Sequence, residues 1–363
     1  STVTSVELFQ SFGSGDRIPA TPGNPNVDAD TYTVTFQNGN IGTLTQLKLD
    51  NSSMNDAADT MRFILNAGDA DYAFNIFGAA AGTTFVDKVN VGINNNINFQ
   101  GSTGVDILRI SGGDLGSTTI FNGGAGMMDA IVQNGGQITD DDYFQVTNVE
   151  ILTAANVVNA VLGAAASASG LNTIQGTANN DNVLFDPAFT GNVDITLSGG
   201  DDTFNAAGAS GTFTYNEDLT NIDANDTIIG GANGADTFNI NAVGGGAADL
   251  TNVDGIEVYN ITADGGDSVT LTLGNAGPST VNGAQTFNFL NSNVPGIITV
   301  TVGGSTENAN TNITTGGGQD RITLGSGNDT INSGFGSDQI YGGAGNDTIN
   351  ASGGDDEVSG GAG

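Results

Sequence analysis

The sequence holds no cysteine and no histidine, and only 6 lysines and arginines stand against 40 aspartates and glutamates. Without cysteine there is no disulfide framework and no thiolate metal site, so an extracellular fold would need another staple. Without histidine, Ser-His-Asp and Cys-His nucleophiles and HExxH zinc sites are excluded. A net charge of −34 argues against nucleic-acid binding, which needs a basic surface. It argues equally against direct attraction to anionic lipid. No apolar run approaches the ~20 residues of a membrane span. The chain starts at Ser1 with no charged-then-apolar leader and stops inside a repeat. Both features suggest a processed product or an ordered fragment, with repeats continuing past residue 363.

What the chain does have is glycine: 57 of its 363 residues, without collagen's triplet period. Hydrophobic residues make up 37% and fall in strand-like runs, so the acidity does not signal a disordered chain. The organising stretch is 315–363. In nines it reads TGGGQDRIT, LGSGNDTIN, SGFGSDQIY, GGAGNDTIN and ASGGDDEVS, then GGAG. Aspartate recurs at Asp320, Asp329, Asp338, Asp347 and Asp356, an aliphatic two residues after each, and a glycine two before. This is the pattern G-G-x-G-x-D-x-U-x.

The spacing has a physical reading. The glycine-rich six form a tight turn, because glycine adopts positive φ and lets backbones approach closely. The next three form a short strand whose middle aliphatic points inward. Two units make one coil, so Asp320, Asp338 and Asp356 should line one edge, and Asp329 and Asp347 the other. Stacked strands lie about 4.8 Å apart, which piles like charges into columns that repel unless a cation intervenes. Arg321 is the only basic residue after Arg109. A divalent cation held by carboxylates and turn carbonyls answers this, and about 6–8 oxygen ligands describes calcium better than magnesium. The alternative is a metal-free glycine-rich solenoid in which aspartate supports turns.

These repeats resemble the calcium-binding β-roll of the repeats-in-toxin (RTX) family of secreted bacterial proteins. The resemblance implies several Ca2+ ions held between successive turns, with folding driven by calcium outside the cell. It carries the ligand roles to Asp320, Asp329, Asp338, Asp347 and Asp356. It extends them to the turn residues Gly316, Gly318, Gly325, Gly327, Asn328, Gly334, Gly336, Gly343, Gly345 and Asn346. The chain departs from the pattern where Thr315, Leu324, Ser333 and Ala351 replace the first glycine and Ser352 the second.

Residues 1–100 read as a β-rich N-terminal part, with alternating strands at 31–36 and 44–49. Pro19, Pro22 and Pro25 mark a loop, and SMNDAADTMRFIL at 53–65 reads as a short helix. Residues 101–314 read as an irregular β-solenoid with degenerate nonapeptides, which add Asp106, Asp202 and Asp236 as candidate ligands. Asp202-Thr-Phe-Asn recurs at Asp236, and DLTNID at 218–223 recurs as DLTNVD at 249–254. Rungs that bury alternate aliphatics and pair Asn and Thr along the stack account for this, continuing through 256–262, 269–273 and 297–302. The alanine-rich 154–169 suits a helix or a tightly packed rung equally. The expected fold is therefore all-β: an elongated parallel β-solenoid ending in an RTX β-roll at 315–363, with a less regular β-rich N-terminal part.

The acidic clusters Asp140-Asp-Asp142 and Asp201-Asp202 are turn or calcium positions rather than a catalytic carboxylate pair, so no enzyme is expected. The acidic, cysteine-free solenoid also looks like RTX-type surface-layer proteins of Gram-negative bacteria. That likeness implies type I secretion, a cell-surface location and calcium-dependent assembly with copies of itself. Surface polysaccharide is a further candidate partner. Two other readings stand beside it: a spacer segment of a large adhesin or matrix fibre, and the calcium-binding accessory region of an enzyme.

Overall fold

The computed structural model describes residues 9–10, 31–37, 46–50, 60–66, 73–77, 83–88, 96–111 and 119–363. Residues 127, 233–234, 264–266, 274–284, 291–295 and 303–309 lie outside the description. Among the described residues nearly every regular element is a strand, and the strand pairings within each unit are parallel. The fold is a parallel β-solenoid. Its contacts divide the chain into two compact units, Ser1–Gln175 and Gly176–Gly363.

In the first unit the chain alternates between two sheets. One contains Gln46–Asp50, Ala73–Phe77, Asn96–Gln100 and Thr119–Asn122; the other runs from Thr31–Gln37 through Val105–Ser111 and Ala130–Gly135 to Thr173–Gln175. Coil length varies: one turn of the chain sets Ala130 beside Ile151, and a longer one sets Thr31 beside Thr60. Side chains alternate inward and outward along 97–100, 105–110 and 119–122. Ile97, Phe99, Leu108, Ile110, Phe121 and Ile131 are fully buried, and the Phe99 and Phe121 rings stack with centroids 4.7 Å apart.

The expected helix at 53–65 is not formed. Residues 60–65 belong to the strand Thr60–Asn66, and 53–59 lie outside the described residues. The strand pairs on both sides, with Thr31–Gln37 and Thr83–Lys88. It buries Phe63 while Arg62 stays half-exposed. Two parallel ladders outweigh the weak helical preference of a short segment. The alanine-rich stretch resolves into both of its readings: a strand Asn159–Leu162 and a short helix Ala164–Ser169. Asp140 accepts the amides of Gly163, Ala165 and Ala166 at the helix start. Gly170, at φ 103°, ends it. The loop expected at Pro19, Pro22 and Pro25 lies outside the described residues.

In the second unit one sheet runs from Val193–Thr196 through Phe213–Asp218, Thr237–Asn241 and Val258–Thr262 to Thr348–Asn350. Tyr215, Phe238, Tyr259 and Phe287 occupy one inward position on successive coils, with centroids 6.2, 6.4 and 4.6 Å apart. Ile313 and Ile331 continue that position. Beside it runs an amide ladder in which Asn239, Asn260 and Asn288 each donate to the asparagine before, at 2.9 Å. A second sheet contains Gly246–Leu250, Val269–Leu273, Ile298–Val302, Arg321–Thr323, Gln339–Tyr341 and Glu357–Ser359. In the last coils the period tightens to a pair of nonapeptides: Arg321 lies beside Gln339, and Thr330 beside Thr348.

That tightening presses turn on turn. A Cβ on Gly336 would lie 1.4 Å from the Gly318 carbonyl oxygen, and one on Gly354 would lie 1.5 Å from that of Gly336. A Cβ on Gly360 would meet nothing within 4 Å. In urea denaturation at saturating calcium, Gly336→Ala should therefore cost at least about 2 kcal/mol, and Gly360→Ala less than about 0.5 kcal/mol. Equal effects would contradict the close stacking of the turns.

Candidate metal centre

One device recurs at the corners of both units. An acidic residue sits at or just before a strand, and its carboxylate accepts the backbone amide of the residue one coil earlier. In the C-terminal coils the Asp320 amide donates to Asp338 Oδ1 at 2.9 Å, and the Asp338 amide to Asp356 Oδ1 at 3.0 Å. On the other edge the Asp329 amide donates to Asp347 Oδ1 at 3.0 Å. The amides of Ile298 and Thr311 extend the two columns to Asp320 Oδ1 and Asp329 Oδ1. The aspartates therefore fall into the two every-second-repeat columns that a coil of paired nonapeptides requires.

Each column uses one oxygen of each carboxylate and leaves the other. Oδ2 of Asp320, Asp329, Asp338 and Asp347 is buried without a hydrogen-bond partner. Asp320, Asp329 and Asp338 are at most 2% exposed. A buried anionic oxygen with no partner is among the most costly arrangements a protein can hold. Burial raises the Asp320 carboxyl above its ordinary value, and the charge of Asp338 adds to this. Burial likewise pushes Asp329 up to about 6, with Asp347 contributing.

The turns bring backbone carbonyl oxygens close to the same carboxylates. At the fourth position of four of the five repeats, Gly318, Gly336, Gly345 and Gly354 have φ between 133° and 147°. The carbonyl oxygens of Gly318, Gly327 and Gly336 occupy the space where side chains on Gly336, Gly345 and Gly354 would begin. The second-position carbonyls of Gly316, Gly325, Gly334 and Gly343 accept amides of the following coil. Ser352 stands where Gly334 and Gly343 do and adopts the same left-handed backbone, at φ 57°. The side chains of Asn328 and Asn346 are not brought in with the carboxylates. They are exposed, and Asn328 Oδ1 accepts the Asn346 amide at 2.8 Å. Among the described residues no group of three or more acidic side chains clusters as a metal site. The donor set is one carboxylate oxygen per coil plus backbone carbonyls. That mixture of hard oxygens suits calcium, and the residues present fit it.

The degenerate corners carry the same ladder at longer periods. Asp106 donates to Asp129 and Asp129 to Glu150; Asp181 donates to Asp202 and Asp202 to Asp226; Asp236 donates to Glu257. Asp106, Asp202 and Asp236 are thus buried in acidic columns. Asp202, Asp226 and Asp236 have no oxygen that is both buried and unpartnered. The degenerate nonapeptides at 123–129 and 176–181 already pointed to Asp129 and Asp181, whereas Asp226, Glu150 and Glu257 were not anticipated as part of these columns. Their signal is an acid recurring once per coil before a strand, at intervals that are unequal and longer than two nonapeptides. A search in nines passes over it.

The geometry defines a class: a parallel β-solenoid whose glycine-rich corners stack carboxylates in pairs of columns. The model of the RTX calcium-binding nonapeptide repeat, in four copies, matches residues 306–340 and 333–363. The C-terminal region is thus built of calcium-binding RTX repeats. No curated protein and no solved structure matches the chain.

Burial raises Asp106 to about 8, with Asp129 adding to it, and raises Asp129 and Asp202 to about 7, from an ordinary 3.8. Between pH 4 and 8 the folded chain therefore holds more protons than the unfolded one, so metal-free stability falls as pH rises through this window. A bound cation favours the charged form and reverses the slope. In chelator the urea midpoint should climb as pH drops from 8 to 5; in calcium it should drop. A chelated midpoint that is flat across this range would contradict the buried carboxylates.

Proposed function

We propose that this chain is a calcium-dependent structural protein of the cell surface. In this reading it leaves the cell by type I secretion and assembles with copies of itself into a surface layer or a related extracellular lattice. One observation carries the reading: paired columns of buried carboxylate oxygens with no protein partner, in a chain of net charge −34. RTX repeat proteins are typically secreted, and no helix among the described residues is long and apolar enough to cross a membrane.

Calcium acts twice. Several ions neutralise the corner columns so that the β-roll closes, and further ions bridge acidic faces of neighbouring copies that would otherwise repel. A calcium-poor cytosol keeps the chain open for export. Surface polysaccharide is a second partner in this scheme. The acidic clusters support a non-enzymatic role. Asp140 holds the start of a helix, and Asp142 accepts the Thr139 amide at 2.8 Å. Asp201 accepts from the side chains of Asn180 and Asn225.

Electron microscopy of the purified chain should show ordered sheets or filaments with calcium and dispersed particles with chelator. Particles that stay monomeric in calcium would sink the lattice reading and favour a spacer of a large adhesin or matrix fibre. Asp338 lies between two coils, whereas Asp356 is partly exposed. Asp338→Ala should therefore weaken calcium-induced β-signal more than Asp356→Ala, and chelation should diminish that signal in the parent. Equal effects of the two substitutions would argue against shared sites between stacked repeats.

A further inference from the structure

Two carboxylates in the first unit share the feature that marks the C-terminal columns, although the family match begins only at residue 306. Asp106 and Asp129 are fully buried, and Asp106 Oδ1 and Asp129 Oδ2 have no hydrogen-bond partner. They stack directly: the Asp106 amide donates to Asp129 Oδ1 at 2.8 Å. The Ser102 amide donates to Asp106 Oδ2 at 3.3 Å, and Thr84 offers its hydroxyl to the same carboxylate.

The space beside the unpartnered Asp129 Oδ2 is lined by oxygen. At the point where a Gly126 side chain would begin, the Gly104 carbonyl oxygen is 2.6 Å away and both Asp129 oxygens are 3.1 Å away. At the corresponding point of Gly123, the Asn148 carbonyl oxygen lies at 2.0 Å and Asp129 Oδ2 at 2.6 Å. Asn148 holds a left-handed backbone, φ 52°, a conformation asparagine tolerates better than most residues.

Acidic stacking alone does not produce this arrangement. Asp236 gives its two oxygens to the amides of Phe213 and Gly231, at 2.7 and 2.6 Å. Asp226 gives its own to the amides of Asp202 and Asp223, at 2.9 and 2.8 Å. In those corners backbone donors complete the carboxylate; at Asp106 and Asp129 they do not.

We propose that the Asp106–Asp129 corner is a further cation site, built on coils longer than the nonapeptide pair and taking a hard divalent ion of the calcium class. Asp129 Oδ2 and Asp106 Oδ1 supply the charge, and the carbonyls of Gly104 and Asn148 supply neutral ligands. All the donors are oxygens and half are backbone carbonyls, which suits calcium's irregular shell better than magnesium's octahedron.

Hydrogen exchange of the full chain, in calcium chloride against chelator, tests the site without any substitution. Amides in 101–106 and 123–129 should exchange at least about tenfold more slowly with calcium. Exchange there that is indifferent to calcium overturns the proposal; if 311–363 still responds, the C-terminal reading survives it. Asp129→Asn should abolish the response at 101–129, leave that at 311–363, and lower the bound calcium by a single ion. Asp236→Asn should leave the calcium count unchanged. An Asp129→Asn chain that binds as much calcium as the parent would equally overturn the site.

Discussion

Everything in this molecule depends on how a buried carboxylate is completed. Along the columns a corner acid accepts a backbone amide from the coil before it, as Asp129, Asp338 and Asp347 do, which ties coil to coil at a fixed register. A hydrogen bond to a charged acceptor contributes roughly 1.5–3 kcal/mol. Two carboxylates about 4.8 Å apart repel by about 3–4 kcal/mol at an effective dielectric near 20. Repulsion along a column is therefore at least as large as the bond that builds it. Protons or cations have to complete the arrangement, and at neutral pH in an extracellular medium calcium is the available candidate.

Glycine makes the arrangement geometrically feasible. The last coils bring carbonyls of one turn into the volume that a side chain on the next would fill, as Gly318 does to Gly336. The same closeness lets carbonyl oxygens approach the acid columns. Shortening the coil to a pair of nonapeptides also narrows its interior. The inward position that holds aromatic rings from Tyr215 to Phe287 passes to isoleucine at Ile313 and Ile331. Core width, turn closeness and ion chemistry are one variable seen from three sides.

Corners that look alike in composition differ in chemistry. Asp236 and Asp129 both precede a strand, both are fully buried, and both stack on a neighbouring acid. One is completed by two amides and the other retains an unpartnered oxygen. A chain of high negative charge can thus hold some carboxylates by hydrogen bonding alone while keeping others that demand an ion.

The nonapeptide period was legible in the residues themselves. Glycine, aspartate and aliphatic recur at fixed offsets, and the two-column stacking of Asp320, Asp338 and Asp356 against Asp329 and Asp347 follows from strand geometry alone. Alternation at 31–36 and 269–273 likewise announced strands, because side-chain direction along a strand has a strict period of two. Residues 60–65, the end of the helix expected at 53–65, form a strand instead, since that segment pairs with Thr31–Gln37 on one side and Thr83–Lys88 on the other, and no local window contains either. Which aspartates keep an unpartnered oxygen was decided only by tertiary structure. That outcome depends on whether an amide from another coil, or from a turn such as Gly231, arrives within hydrogen-bond reach. Local sequence sets the corner; distance between coils sets its charge balance.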